Sequence, residues 1–198
     1  RSEIRTLKKL DSIDQRQLFS AVGQAKLINR YYELFRDHGI PVGQVLTTKE
    51  SFGTRRHYLN QKNCMTVMLE NGVIPIVNEN DTVSTYEIKQ VQTFGDNDRL
   101  SAIVTSIVGA DLLILLSDID GLYTDDPNTN PDARFISQVD RIDDDLLDMG
   151  KSTSGSNVGT GGMATKLIAA RIATGSGADM VIANGNDIDN ITKVMAGE

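Results

Sequence analysis

Short, unbroken apolar runs alternate along this chain with longer segments of helical spacing, and that alternation restricts the fold more than any other feature. Val73-Ile74-Pro75-Ile76-Val77, Leu112-Leu113-Ile114-Leu115-Leu116 and Met180-Val181-Ile182-Ala183 are too short for buried helices and offer no polar residue to either side of a pleat. Runs of this kind suit strands covered on both faces, the usual situation of parallel strands clothed by helices. Pro41 to Thr47 predicts a further strand. Apolar residues recur at helical spacing through Leu18, Val22, Ala25, Leu27, Ile28, Tyr32, Leu34 and Phe35, stopping at Gly39. Other helices are expected at Thr54 to Glu70, Asn97 to Val108, Asp143 to Leu147, Ala164 to Thr174 and Ile188 to Met195. Strands and helices in this order predict an α/β fold with a mainly parallel sheet and helices on both faces. Gly23 inside the first helix costs about 1 kcal/mol against alanine, so it is expected to mark close packing or, as the lesser alternative, the close approach of a ligand. Thr82 to Phe94, with weak alternation through Val83, Tyr86, Ile88 and Val91, reads as a hairpin excursion. No repeat or linker divides the chain, which predicts a single domain.

The chain has 198 residues and a formal net charge of −7, with no basic stripe to offset it, which argues against a nucleic-acid binder. No apolar run reaches the roughly 18 residues that a spanning helix needs, so no membrane segment is expected. Arg1 to Lys9 is charged and lacks the apolar core of a signal peptide. Cys64 is the sole cysteine, which rules out an internal disulfide and makes a reducing cytoplasm the expected compartment. His38 and His57 stand apart without cluster partners and are assigned surface or structural roles. An acidic chain can still bind anions through local cations, backbone amides or a metal. Each well-placed lysine is therefore informative.

In parallel sheets ligands gather at the carboxyl ends of strands. Here the Val73 run leads into Asn78-Glu79-Asn80-Asp81, the Leu112 run into Ser117-Asp118-Ile119-Asp120-Gly121, and the Met180 run into Asn184-Gly185-Asn186. Turn chemistry alone accounts for any one cluster; three on one edge point to a site. Gly95-Asp96-Asn97-Asp98 opens a helix that needs only one N-cap, leaving the other polar side chains for a ligand or for steering a lysine. Asp118-x-Asp120-Gly121 is not a calcium loop, because its glycine stands at position four instead of six. Arg55-Arg56 is read as a solvated helix start.

Val158-Gly159-Thr160-Gly161-Gly162-Met163-Ala164-Thr165-Lys166 runs into the helix expected from Ala164. Glycines before a helix let amides turn toward an anion, and a lysine in the first turn adds a full cation. A phosphate cradle is favoured over a surface loop that simply ends in a helix. A Walker loop is excluded, since Lys166 sits between Thr165 and Leu167. The dinucleotide fingerprint is excluded as well: no strand precedes Gly159, and Asp179 precedes a strand instead of ending one.

Taken together, these residues resemble the amino-acid kinase family. The family-wide features are Asp118-Ile119-Asp120-Gly121-Leu122-Tyr123-Thr124-Asp125-Asp126-Pro127 and the loop from Thr160 to Lys166. Ala21-Val22-Gly23-Gln24, Val77-Asn78-Glu79-Asn80-Asp81-Thr82-Val83 and Gly95-Asp96-Asn97-Asp98-Arg99-Leu100-Ser101-Ala102 are more specific. With Gly159 to Lys166 they are similar, over nearly the whole chain, to the branch of the family that acts on glutamate. The resemblance implies a three-layer αβα sandwich that binds ATP with magnesium beside L-glutamate. Its implied product is glutamyl 5-phosphate, the first intermediate of proline synthesis. Asp81 and Asn97 would contact glutamate through its amino and carboxylate groups, with Asn78 alongside. Ser117 and Asp118 would lie by the nucleotide, and Thr160, Gly161, Gly162, Met163, Ala164, Thr165 and Lys166 would enclose its phosphates. Asp98 would organise the active-site lysines, and Lys166 would stabilise the phosphoryl group in flight. No residue is assigned as a metal ligand, and a homo-oligomer is the default for such enzymes.

Two departures from the family pattern carry expectations of their own. The family opens with a strand bearing a glycine turn and a phosphate-contacting lysine, then a second strand ending in a Ser-Gly turn; Arg1 to Lys9 contains neither. The chain also stops at Glu198, before the family's last strand. An amino-acid kinase domain over residues 1–198, incomplete at its N-terminus and at its C-terminus, is therefore expected, with central strands missing and the chain as written a poor catalyst. Gln90 to Thr93 is also longer than the family pattern, which alters the expected substrate-loop geometry. The alternatives are the kinase half of a bifunctional pyrroline-5-carboxylate synthase, a kinase of another amino acid or a nucleotide, and a chain that binds without turnover.

Overall fold

A computed structural model of the chain describes residues 12–48, 50–83, 97–125, 127, 130–152 and 162–197. The chain divides into two compact units, Arg1–Gly95 and Asp96–Glu198.

The first unit runs helix α1 (Ser12–Arg36), strand β1 (Val42–Thr47), the short helix α2 (Glu50–Gly53), helix α3 (Arg55–Glu70) and strand β2 (Ile74–Glu79). β1 and β2 pair in parallel, with Val42 opposite Ile74 and Thr47 opposite Glu79. Thr54 starts α3 as its N-cap, its hydroxyl accepting the His57 N–H at 3.3 Å. At the other end Gly72 takes a left-handed φ of 70°, free of the Cβ penalty other residues would meet. That turn lets the Val73 N–H reach the Met68 carbonyl at 2.9 Å and feeds the chain into β2. Val45, Thr47 and Met65 are buried at the centre.

Two expectations for this unit need correcting. β2 is half-buried along most of its length and Ile74 is exposed, so among the described residues it is not fully covered on both faces. Among the described residues its only strand neighbour is β1, which leaves its other edge without a ladder. Helix α1 forms where its spacing predicts, yet Leu27, Tyr32 and Leu34 are exposed, and a Cβ added at Gly23 would meet nothing within 4 Å. Close packing therefore does not explain Gly23 among the described residues.

The second unit runs helix α4 (Asn97–Val108), strands β3 (Leu112–Ser117), β4 (Leu122–Tyr123) and β5 (Phe135–Ile136), helices α5 (Asp144–Ser152) and α6 (Met163–Gly175), strand β6 (Asp179–Asn184) and helix α7 (Asp189–Ala196). β3 and β6 pair in parallel from Leu112 opposite Asp179 to Ser117 opposite Asn184. Leu113 and Leu115 turn inward onto Ala102, Ala169, Ala173 and Ala178, with Ile172 and Met180 packed around them. Alanine on both helices lets α4 and α6 lie close together over the strand pair. Here too, among the described residues, the two-sided cover expected of β3 is incomplete: the pleat turns Leu116 away from this cluster and leaves it 47% exposed. The antiparallel β4–β5 ribbon was not predicted, since two-residue strands carry no periodicity. It is held by an edge-on contact between Tyr123 and Phe135, ring centroids 5.4 Å apart. Parallel pairs flanked by helices are the α/β arrangement expected from the alternation of elements. The hairpin expected over Thr82 to Phe94 lies mostly outside the described residues. No helix among them is long and apolar enough to cross a membrane.

Gly150 is where α5 meets α6. A Cβ there would sit 2.6 Å from Leu167 Cδ1 and 3.3 Å from the Ala164 backbone, and Leu167 is itself buried. Gly150→Ala is expected to cost about 1–3 kcal/mol in denaturant unfolding, the usual range for overpacking. Gly43→Ala is the matched control. Its Cβ would meet chiefly the mobile end of Met68, at 2.6 Å, so its cost should stay below about 1 kcal/mol.

Candidate active site

Short connections join α4 to β3 and α6 to β6, so each helix runs back along the strand that follows it. The heads of both helices and the carboxyl ends of both strands therefore share one edge of the second unit. This places Asn97 and Asp98, Gly162 to Lys166, Ser117 to Asp120, and Asn184 to Asn186 along that edge.

The head of α6 opens directly on a glycine. Gly162 is its N-cap, with extended backbone and no side-chain cap bond, so the first amides of the helix have no side-chain acceptor there. Lys166 stands in the first turn, and its Nζ donates to Asp98 Oδ2 at 2.8 Å. The lysine side chain is 8% exposed and the aspartate 17%. An ammonium so far from water requires a counter-charge, and the head of α4 provides it. Thr165 Oγ1 lies 2.7 Å from the Gly162 carbonyl and 3.3 Å from Asp98 Oδ2, within donating distance of both. Asp98, Thr165 and Lys166 thus form one connected group.

At the end of β3, the Ser117 hydroxyl donates to Asp118 Oδ1 at 3.1 Å, and Asp118 is exposed. The end of β6 meets it: the Gly185 N–H reaches the Ser117 carbonyl at 2.8 Å, and Asn184 Nδ2 donates to Asp120 Oδ1 at 2.8 Å. A cavity of about 580 Å³ opens beside Asp120, Asn184 and Asn190. Asn97 is exposed at the first position of α4, its carbonyl accepting the Ser101 hydroxyl at 2.7 Å.

The first unit carries its own polar edge. Asn78 and Glu79 are the last residues of β2 itself, and Asn78 Oδ1 accepts the Glu79 N–H at 2.9 Å. Asp81 Oδ2 accepts the Ser20 hydroxyl at 3.3 Å. Gln17 Nε2 donates to the Thr82 carbonyl at 2.8 Å, and Gln24 Nε2 to the Glu79 carbonyl at 3.4 Å. Buried Thr47 ties the same turn, its carbonyl accepting the Asn80 N–H at 2.7 Å. Gln17, Ser20 and Thr47 were not singled out from the sequence. The spacing Gln17, Ser20, Gln24 is a polar stripe on one face of a helix, and it was the available signal. Thr160 and Gly161 lie outside the described residues; Gly162, Met163, Ala164, Thr165 and Lys166 form the cap and first turn of α6.

Amides, hydroxyls and one paired lysine make a donor set for phosphate oxygens. Among the described residues no group of three His, Cys, Asp or Glu side chains could hold a metal ion. Magnesium nevertheless fits such a site, since it is commonly bound through nucleotide phosphates with only one or two protein carboxylates.

The sequence pattern of the amino acid kinase family matches residues 1–184. The chain is 60% identical over 191 residues to a glutamate 5-kinase of Bacteroides thetaiotaomicron, an alignment covering 96% of this chain and 51% of that protein. It is 44% identical over 196 residues to a glutamate 5-kinase of Clostridium perfringens, covering 99% of this chain and 72% of that protein. A glutamate 5-kinase of Dehalococcoides mccartyi is 48% identical over 183 residues, with 92% and 48% covered. The chain thus spans about half the length of several curated relatives that it matches. Among solved structures, one titled "X-ray structures of isopentenyl phosphate kinase" superposes with a TM-score of 0.57 at 18% identity, covering 97% of this chain and 71% of that one. That likeness concerns the fold alone, and it agrees with an αβα arrangement.

Proposed function

This chain belongs to the amino acid kinase family, and on that premise we propose that it transfers the terminal phosphoryl group of ATP to the side-chain carboxylate of L-glutamate. The product is glutamyl 5-phosphate, on the route to proline. The observation that carries this reading is the Lys166–Asp98 pair at the uncapped head of α6. The relatives named glutamate 5-kinase support the choice of acceptor.

The chemistry asks little of acid–base groups. A glutamate side chain has a pKa of about 4.3, so at neutral pH the attacking oxygen is already ionised. The demands are alignment of that oxygen and neutralisation of charge spreading over phosphate oxygens. The amides of Met163 and Ala164 hold the phosphate, and Lys166 supplies the cation nearest them. Asp98 keeps the Lys166 ammonium in place. Ser117 and Asp118 bind the nucleotide from the end of β3; motif position assigns contacts with the amino acid to Asn97 in the second unit and, separately, to Asn78 and Asp81 in the first. Magnesium, which would be held chiefly through the nucleotide's own phosphates, would supply further neutralisation of their charge. A homo-oligomer is part of the same reading, and sedimentation of the purified protein tests it.

The deciding experiment compares ADP release with glutamate, aspartate, N-acetylglutamate and UMP as acceptors. Glutamate alone should drive turnover; equal rates with another acceptor would reassign the substrate. Asn97→Ala should raise the glutamate KM by roughly tenfold, the loss of about one good hydrogen bond to a charged group, with the ATP KM little changed. An unaltered glutamate KM would reject Asn97 as a substrate contact.

A further inference from the structure

The end of β6 contributes to the site without carrying any of the residues assigned above. Asn184 is the last residue of that strand, opposite Ser117 in the parallel register. We propose that Asn184 is a positioning residue for the nucleotide: its amide clamps Asp120 and so fixes the turn from Asp118 to Gly121 that presents Ser117 and Asp118. The inference rests on the assignment of ATP to that turn.

Every polar atom of the Asn184 side chain has a defined partner. Oδ1 accepts the Asn186 N–H at 2.9 Å, and this local turn decides which way the amide faces. Nδ2 is left pointing at Asp120, where it donates to Oδ1 at 2.8 Å. A carboxylate can only accept there, so the amide is the complementary group and a second carboxylate would repel it. The main chain is held just as closely. The Gly185 N–H bonds the Ser117 carbonyl at 2.8 Å, and a Cβ added at Gly185 would lie 3.3 Å from Leu116 Cβ. Asn190 Nδ2, from α7, donates to the Asn184 carbonyl at 3.0 Å and steadies the clamp from behind. The tie spans 64 residues of sequence. It joins a turn of exposed acidic residues to the end of an ordered strand, and this reduces the conformations open to Asp118 and the rest of that turn before ATP arrives. Preorganisation of that kind acts on affinity for the group being held.

The test is a reciprocal exchange in the protein, read by ATP titration calorimetry, the glutamate KM and the melting temperature. Asn184→Ala should weaken ATP binding about three- to tenfold, the span of one exposed hydrogen bond, with the glutamate KM within about twofold. Asn184→Asp should weaken it further, because two carboxylates then face each other. Adding Asp120→Asn to Asn184→Asp restores a donor opposite an acceptor, with the roles exchanged, and should recover most of the affinity. Unchanged ATP affinity in both single variants overturns the proposal, as does an exchange that recovers nothing. Parallel losses of ATP affinity, glutamate affinity and melting temperature would also overturn it, since they mark a purely structural residue. The unsubstituted protein separates the two levels of argument. If it binds no ATP, the nucleotide assignment itself falls; if it binds ATP and Asn184→Asp binds equally well, only the clamp falls.

Discussion

In the full-length protein, Lys166→Ala should lower kcat by about 10²–10³, the loss that follows removal of one preorganised charge-stabilising donor, while leaving the glutamate KM nearly unchanged. The asymmetry follows from where the charge is needed. On the proposed reading, the phosphate charge before transfer would be met by amides at the head of α6 and by magnesium bound with ATP. During transfer, charge moves onto oxygens that only a close cation can match, and Lys166 is a buried cation held 2.8 Å from its carboxylate at that helix head. An interaction that strengthens toward the transition state appears in turnover and not in ground-state binding. Single-turnover kinetics with circular dichroism on the same samples separate this from misfolding. A folded variant with undiminished turnover would remove Lys166 from the chemistry. A fall confined to glutamate affinity would make it a binding residue instead.

Much of this site was legible because its parts are local in sequence. A glycine before a helix, a lysine one turn in, and an acidic residue at the head of another helix each have a short-range signature. The expected helices and strands appear within a few residues of their predicted bounds, although α5 runs on to Ser152, beyond the predicted end at Leu147. What escaped was of two kinds. Burial depends on neighbours far along the chain, so the apolar runs of β2 and β3 located strands correctly but overstated their cover; Leu116 is the clearest case. Side-chain ties over long separations were the other kind. Ser20 to Asp81 spans 61 residues and Asn184 to Asp120 spans 64, and nothing in the spacing of either pair announces a contact. The cluster Asn184-Gly185-Asn186 was visible as a polar strand end, but its partner was not. The Lys166–Asp98 pair, 68 residues apart, was reached through family resemblance and not through periodicity.

Asp98→Ala should be among the most destabilising single changes at this edge, because it removes the carboxylate and leaves the ammonium in place. With the Lys166 side chain 8% exposed, water can replace only part of what the aspartate supplied. Breaking a buried pair from one side costs about 3–5 kcal/mol. Asp98 is 17% exposed, so the lower end applies: about 3 kcal/mol, or roughly 6–12 °C in melting temperature for a chain of this size. The cost is one of mismatch, and a second substitution tests that directly. Lys166→Met keeps most of the apolar stem at this buried position while removing the charge, so Asp98→Ala combined with Lys166→Met should regain much of the lost stability. Turnover should stay low in both, since neither retains a lysine held in place. If the double variant is no more stable than Asp98→Ala alone, the aspartate acts as a cap for α4 instead of a counter-charge. If Asp98→Ala melts with the unsubstituted protein, solvent reaches Lys166 and the pair is not the fixed element that the transfer mechanism requires.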